Sequence, residues 1–167
     1  MNDGSLASVD ERRLKACSRC AKCCFTHPCA LAPSDLGEIS THFGLSEEAL
    51  FIRFLVLDYV EVQGAKEYFV CPSRRGDQPG TRVKSGWTIS ESPCIFLDGS
   101  HCSIEGVKPK GGRSFYCGLM TRSNRNFIGY GKKKSASDWA NSHVLDALFA
   151  LADKAKEEQT TRPVMVS

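Results

Sequence analysis

The chain lacks any long apolar run. Its most hydrophobic stretch, 49–62, is interrupted by Arg53, Asp58 and Glu61, so it cannot cross a bilayer as a plain helix. An export leader is not expected either, since Arg12 and Arg13 lead into LKACSRC and not into an apolar core. Ser-His-Asp order and a paired-carboxylate motif are missing, and GDQPG and GKKKS lack the strand and spacing of a phosphate loop. Hydrolytic and nucleotide-driven chemistry therefore have no motif to carry them. No internal repeat or low-complexity tract is present. Acids are absent between 106 and 134, where eight cations stand at Lys108, Lys110, Arg113, Arg122, Arg125, Lys132, Lys133 and Lys134.

Cysteine is what the chain has in quantity, nine residues in 167. Four of them, Cys17, Cys20, Cys23 and Cys24, fall in the run CSRCAKCC; the others are Cys29, Cys71, Cys94, Cys102 and Cys117. An odd count and a vicinal pair suit a disulfide scaffold poorly. Reduced thiols in a cytoplasmic protein are the expectation. C-x-x-C spacing turns two sulfurs toward one ion around a tight loop, the arrangement that holds zinc and iron-sulfur centres. A C-x-x-C-x-x-C run with a distant fourth cysteine is the spacing around one cubane cluster, and Cys71-Pro72 is similar to the terminal Cys-Pro of such runs. Iron-sulfur is thus favoured over zinc, which the same thiolates accept.

Periodicity outlines the remainder. Residues 1–16 are expected as a flexible N-terminal arm, 17–158 as the metal-chelating domain and 159–167 as a tail. Ser34 is the expected cap of a helix with Leu36, Ile39 and Phe43 on one face and Gly44 as its stop. Ser46 caps a second helix carrying Leu50, Phe51, Phe54 and Leu55. Residues 56–71 read as a hairpin turning at Gly64 and Ala65, and 72–92 as a long loop or insertion over the site. CIFLDGSHCSI reads as a second hairpin turning at Asp98 and Gly99, with Cys94 and Cys102 on its two sides. One amphipathic helix is expected over 137–158. The fold class is α+β, a small, mainly helical single domain with short β-hairpins around a cysteine-bound metal centre.

CxxCxxCC, two helices, a hairpin, then C-x7-C-x-I and a basic-proline pair together resemble the CxxCxxCC (YkgJ-type) family of zinc- or iron-chelating proteins, over roughly 17–117. The family's second block runs C-P-F-L, a cysteine, I-Y, then R-P-x-x-C-R-x-F-P. The resemblance implies metal ligation by Cys94 and Cys102, with Lys108-Pro109 at the Arg-Pro pair and Arg113 and Phe115 at the flanking positions. The family's third cysteine is Gly112 here. Either Cys117 loops back to replace it, the favoured choice, or the site recruits Cys29, Cys71 or His27. The expected ligand set is Cys17, Cys20, Cys23, Cys24, Cys94, Cys102 and Cys117, more thiolates than one tetrahedral ion uses. Related cysteine clusters occur in flagellin lysine methylases, which suggests a methyl-transfer accessory role by analogy only.

For Cys29 and Cys71 the plainer reading is a small buried hydrophobe, and for His27 a turn histidine bonded to backbone. His101 is similar, while His42 and His143 sit in expected helices. The basic segment 106–134, with Phe127 and Tyr130 as stacking groups, offers a surface for nucleic acid or an acidic partner protein. Its plainer role is a solvated face whose cations, Lys108 and Arg113 above all, offset thiolate charge. The function expected is therefore an iron-sulfur protein with a redox or accessory role. The alternative is a zinc-structured module that binds nucleic acid or protein through 106–134.

Overall fold

The computed structural model describes residues 24–25, 29–83, 92–113 and 131–161. Helix α1, Pro33–Phe43, starts earlier than Ser34 would have it. Pro33 lacks the amide that a first helical residue leaves unpaired anyway, and Asp35 reaches back so that the Ala32 N–H donates to its Oδ2 at 2.7 Å. The cap is thus Ala32, with the carboxylate of Asp35 doing the work expected of a serine. At the other end Gly44 adopts φ 63°, and the amides of Gly44 and Leu45 donate to Thr41 and Ser40, the closure of a Schellman motif. Helix α2, Glu47–Phe54, is capped as expected: the Ala49 N–H donates to Ser46 Oγ at 3.1 Å. It ends at Phe54, and Leu55 opens the next strand.

Strands β1, Leu55–Val62, and β2, Ala65–Pro72, form an antiparallel hairpin. Its turn is Gln63-Gly64, both with positive φ, one residue ahead of the expected pair; primed geometry of this kind matches the twist of the strands. The end remote from the turn is the buried one. The loop after β2 is irregular but tied down as far as residue 83. The Ser73 N–H donates to Phe54, Arg75 N–H to Pro93, and residues 81–83 run beside β1 through Leu57. Residues 84–91 lie outside the described set. The second hairpin, β3 (Leu97–Asp98) and β4 (His101–Cys102), turns at Gly99 and Ser100, and Arg75 donates to the Leu97 carbonyl beneath it. A 3-10 turn, Glu105–Val107, leads to a short helix α3, Lys110–Arg113.

Where one C-terminal helix was expected, the chain makes two: α4, Lys132–Ala140, and α5, Val144–Thr161. Asn141 Nδ2 donates to the Ser137 carbonyl at 2.8 Å and closes α4, while Ser142 Oγ accepts from the Val144 N–H at 3.3 Å and opens α5. The break lets α4 pack on the hairpin with Trp139 fully buried.

The core gathers Leu31, Leu36, Ile39, Leu50, Phe51, Leu55, Leu57, Phe69, Val70, Ile104, Trp139 and Leu148. At its edge Phe43 stacks on Phe54 and Phe96, joining both first helices to the second hairpin. The Leu31 carbonyl accepts from both Ser135 Oγ, at 2.6 Å, and Trp139 Nε1, at 2.9 Å, while its amide donates to Val70 at 2.9 Å. Buried polar atoms need such partners, and here they fasten residues 29–32 between α4 and β2. The architecture is α+β, two small antiparallel hairpins with helices packed around them. Among the described residues no helix is long and apolar enough to cross a membrane.

Candidate metal centre

Of the expected ligands, Cys17, Cys20, Cys23 and Cys117 lie outside the described residues, as does His27. Cys24, Cys94 and Cys102 are described, together with Cys29 and Cys71. The end of the first cysteine cluster and the start of the second block are adjacent: the Cys94 N–H donates to the Cys24 carbonyl at 2.8 Å. Cys94 also bridges to Arg74 beyond β2, and its carbonyl accepts from Leu97, so it sits where the first hairpin hands over to the second. Cys102, half-buried in β4, lies across from Leu97.

Cys29 enters this corner from the other side. Its neighbour Ala30 accepts from the Gly111 N–H at 3.2 Å, which seats α3 against the cysteine segment. A Cβ added to Gly112 would stand 3.2 Å from Cys29 Sγ and 3.1 Å from Lys108 Cγ, so the bare glycine leaves room for the sulfur and the lysine stem. Cys29 as a residue is partly exposed, yet protein crowds its thiol. Burial is the main cause that pushes the thiol up, Cys94 and Cys102 add to it, and Lys108 opposes them. Cys71 is buried in β2, opposite Val56 and on the same face as Asp58. Its thiol is also pushed well up, by burial first, then Asp58, Cys29 and Cys94, with Lys132 opposing.

Cys29 thus lies within electrostatic reach of Cys94 and Cys102, and Cys71 within reach of Cys29 and Cys94. Each disfavours ionisation of its neighbours, and a bound cation reverses that balance because it stabilises thiolates. Thiolate is the donor type that a thiophilic metal takes. Among the described residues, no group of three or more His, Cys, Asp or Glu side chains stands in an arrangement that could hold a metal ion.

Asp35, absent from the candidates drawn from the sequence, organises the surroundings. It is fully buried, and its Oδ2 accepts from the amides of Ala32 at 2.7 Å and Lys110 at 2.9 Å, while Arg113 reaches Oδ1 at 3.3 Å. Burial raises its carboxyl; those donors and Arg113 hold it down. The carboxylate therefore clamps α1 to α3 and sets Gly112 against Cys29. Its signal was in the sequence, an acid two residues after the proline that opens a helix.

The two cations expected to offset thiolate charge divide. Lys108 faces Cys29 and pairs with Glu105 at 2.9 Å, whereas Arg113 serves Asp35 and Glu38. Lys134 pairs with Asp138 at 2.7 Å, and Lys132 turns inward toward Asp58 and Cys71. A shallow depression lined by Lys66, Tyr68, Ser137, Asn141, Leu145 and Phe149 touches none of the cysteines.

Comparison with protein-family models, with curated proteins and with solved structures returns no match for this chain.

Proposed function

We propose that the protein is a cysteine-cluster metal protein in the manner of the CxxCxxCC chelating proteins, binding an iron-sulfur cluster in a redox or accessory role. The observation that supports the reading is the hydrogen bond from Cys94 to Cys24, because it joins the last cysteine of the first cluster to the first of the second block, 70 residues on in the chain. Cys17, Cys20, Cys23, Cys24, Cys94, Cys102 and Cys117 would hold the centre. Once bound, such a cluster supplies one-electron transfer, or structural cross-linking when solvent is excluded. The chain's own part is to orient the sulfurs, exclude water through Phe96 and Ile104, and place the Lys108 ammonium by the thiolates. Nine reduced thiols suit the cytoplasm, where we place the protein.

Zinc on the same sulfurs is the alternative metal. Its extension, a nucleic-acid or protein surface over 106–134, gains little from Lys108, Arg113 and Lys134, which are engaged by acids, or from Lys132, which points inward. Anaerobic purification of the untagged protein decides between them. Brown protein with iron and acid-labile sulfide is the expected result; colourless protein holding zinc alone overturns the iron-sulfur assignment, and protein that takes up neither metal overturns the centre itself.

A further inference from the structure

We infer that the outer edge of β2 at Lys66 and Tyr68 is a docking slot for an extended segment of a partner protein, which adds there as a short strand and seats an aliphatic side chain on Leu145 and Phe149. The inference makes no use of the metal-binding reading.

Hydrogen bonds fix which way β2 turns its main chain. In an antiparallel pair the N–H and C=O of one residue point to the same side, and successive residues alternate. The Val70 carbonyl accepts from the Leu31 amide at 2.9 Å, away from β1, and Leu57, its partner across the hairpin, turns both main-chain groups the other way, to Thr81 and Val83. Tyr68 and Lys66 follow at every second position, opposite Tyr59 and Glu61, so their N–H and C=O groups lie on the same outer edge as those of Val70. Among the described residues no main-chain group pairs with Tyr68 or Lys66 on that side. A bare edge of this kind is a template for another strand.

One end of the slot is already used in this way by the chain itself. Leu31, fully buried, has its amide on Val70 and its carbonyl on Ser135 and Trp139, so a non-helical residue is held between the edge of β2 and helix α4. Pro33 then turns the chain away into α1. Helix α4 continues past the next edge residues, and there the shallow depression opens, between Lys66 and Tyr68 on the strand, Ala140 and Asn141 at the end of α4, and Leu145 and Phe149 on α5. Its apolar wall is the edge-to-face pair of Tyr68 and Phe149, with ring centroids 5.0 Å apart. The depression thus continues a strand-to-helix interface that Leu31 occupies one step earlier. Charge gives nucleic acid no hold here, since Glu67 borders the same depression and the Lys66 ammonium lies 4.2 Å from the centre of the Tyr59 ring. What the slot offers is main-chain donors and acceptors beside an apolar wall, and an extended peptide complements both. A second copy of this chain fits less well, because its own β2 edge is walled by the same two helices, whereas a single extended segment brings no flank with it.

The full chain, purified anaerobically, is panned against a display library of random seven-residue peptides, and the enriched peptides are synthesised and titrated by NMR. The inference expects aliphatic peptides that slow amide exchange at Lys66 and Tyr68. N-methylation of the peptide backbone should weaken binding about tenfold at one position and little at the next, the alternation of a strand that loses one main-chain hydrogen bond. Ala140→Arg, at an exposed position that lines the slot, should abolish binding, and Ala150→Arg, exposed on α5 outside it, should leave binding unchanged. Four results overturn the inference. They are a library that yields no binder, binding that leaves exchange at Lys66 and Tyr68 unaltered, slow exchange of both amides in the protein alone, which assigns the edge to another part of this chain, and a dimer in sedimentation that Ala140→Arg dissolves, which assigns it to a second copy. None of these readouts depends on metal content, so failure here leaves the metal centre standing.

Discussion

The backbone amide of Cys94 donates to the carbonyl of Cys24 at 2.8 Å, so the last cysteine of the first cluster and the first of the second block are joined by main chain. This separates two effects that usually fall together in metal proteins, loss of a ligand and loss of the fold. Serine at position 24 keeps the carbonyl and removes the sulfur. We expect Cys24→Ser to lower metal content while the chelator-stripped protein melts within about 0.5 kcal/mol of wild type, the range of a neutral substitution. Metal analysis paired with calorimetry of the stripped forms checks it; a large drop in stripped stability would mean that the thiol itself packs the fold.

Asp35 satisfies two buried amides and receives Arg113. Asp35→Ala should cost about 2–3 kcal/mol, the scale for removing a charged acceptor from buried donors. Asp35→Asn, which keeps one acceptor oxygen, should cost less. Urea denaturation gives both numbers. Since α3 loses its clamp, amide exchange at Gly111 and Gly112 should speed up in the alanine variant, and unchanged exchange there would show that Asp35 does not position the glycine.

Lys132 is drawn down to about 8, by burial first, with Arg74 adding to it and Asp58 and Cys71 opposing. In the unfolded chain the same ammonium holds its proton to about 10.4. Between those values the unfolded state binds more protons, so the contribution of Lys132 to stability rises as pH climbs from 8 to about 10.4 and is flat below. Stripped wild type should therefore gain stability over Lys132→Met across that window, by up to about 3 kcal/mol, an upper bound because the residue is only half-buried. Parallel stability curves for the two proteins from pH 7 to 10 would show that the ammonium is solvated.

Ser135 and Trp139 share one acceptor, the Leu31 carbonyl. Ser135→Ala should cost about 1 kcal/mol, because the carbonyl keeps the indole. Combining it with Trp139→Phe leaves that buried carbonyl without either donor, and the double variant should fall by more than the two single costs added. A double-mutant cycle in urea measures the excess; strict additivity would mean that the two donors act separately.

Much of this fold could be read from local chemistry. Ser46 and Gly44 mark helix ends because a cap and a left-handed stop are decided by one or two residues. The hairpin over 55–72 followed from β-branched and aromatic residues around a glycine, with the turn displaced by one because Gln63 also takes a positive φ. Misreadings came where a short polar side chain acts on a neighbour. Ser142 falls inside the single helix expected over 137–158, yet it caps a new one; Asp35 was not among the candidates, yet it closes on an amide 75 residues away. At the candidate site, spacing singled out Cys94 and Cys102, and what the fold adds is a backbone hydrogen bond from Cys94 to Cys24. Cys29 stood outside every motif, and Gly112 read as the place where a thiol had been lost. Only the approach of α3 to residues 29–31 shows that a gap in one stretch faces a sulfur from another.

The Leu31 carbonyl has a temporal consequence. Both of its donors lie more than a hundred residues downstream, so a nascent chain cannot satisfy this carbonyl until α4 has emerged from the ribosome. The partner of the Leu31 amide, Val70, is made far sooner, so residues 29–32 can be tied to β2 well before they are tied to α4.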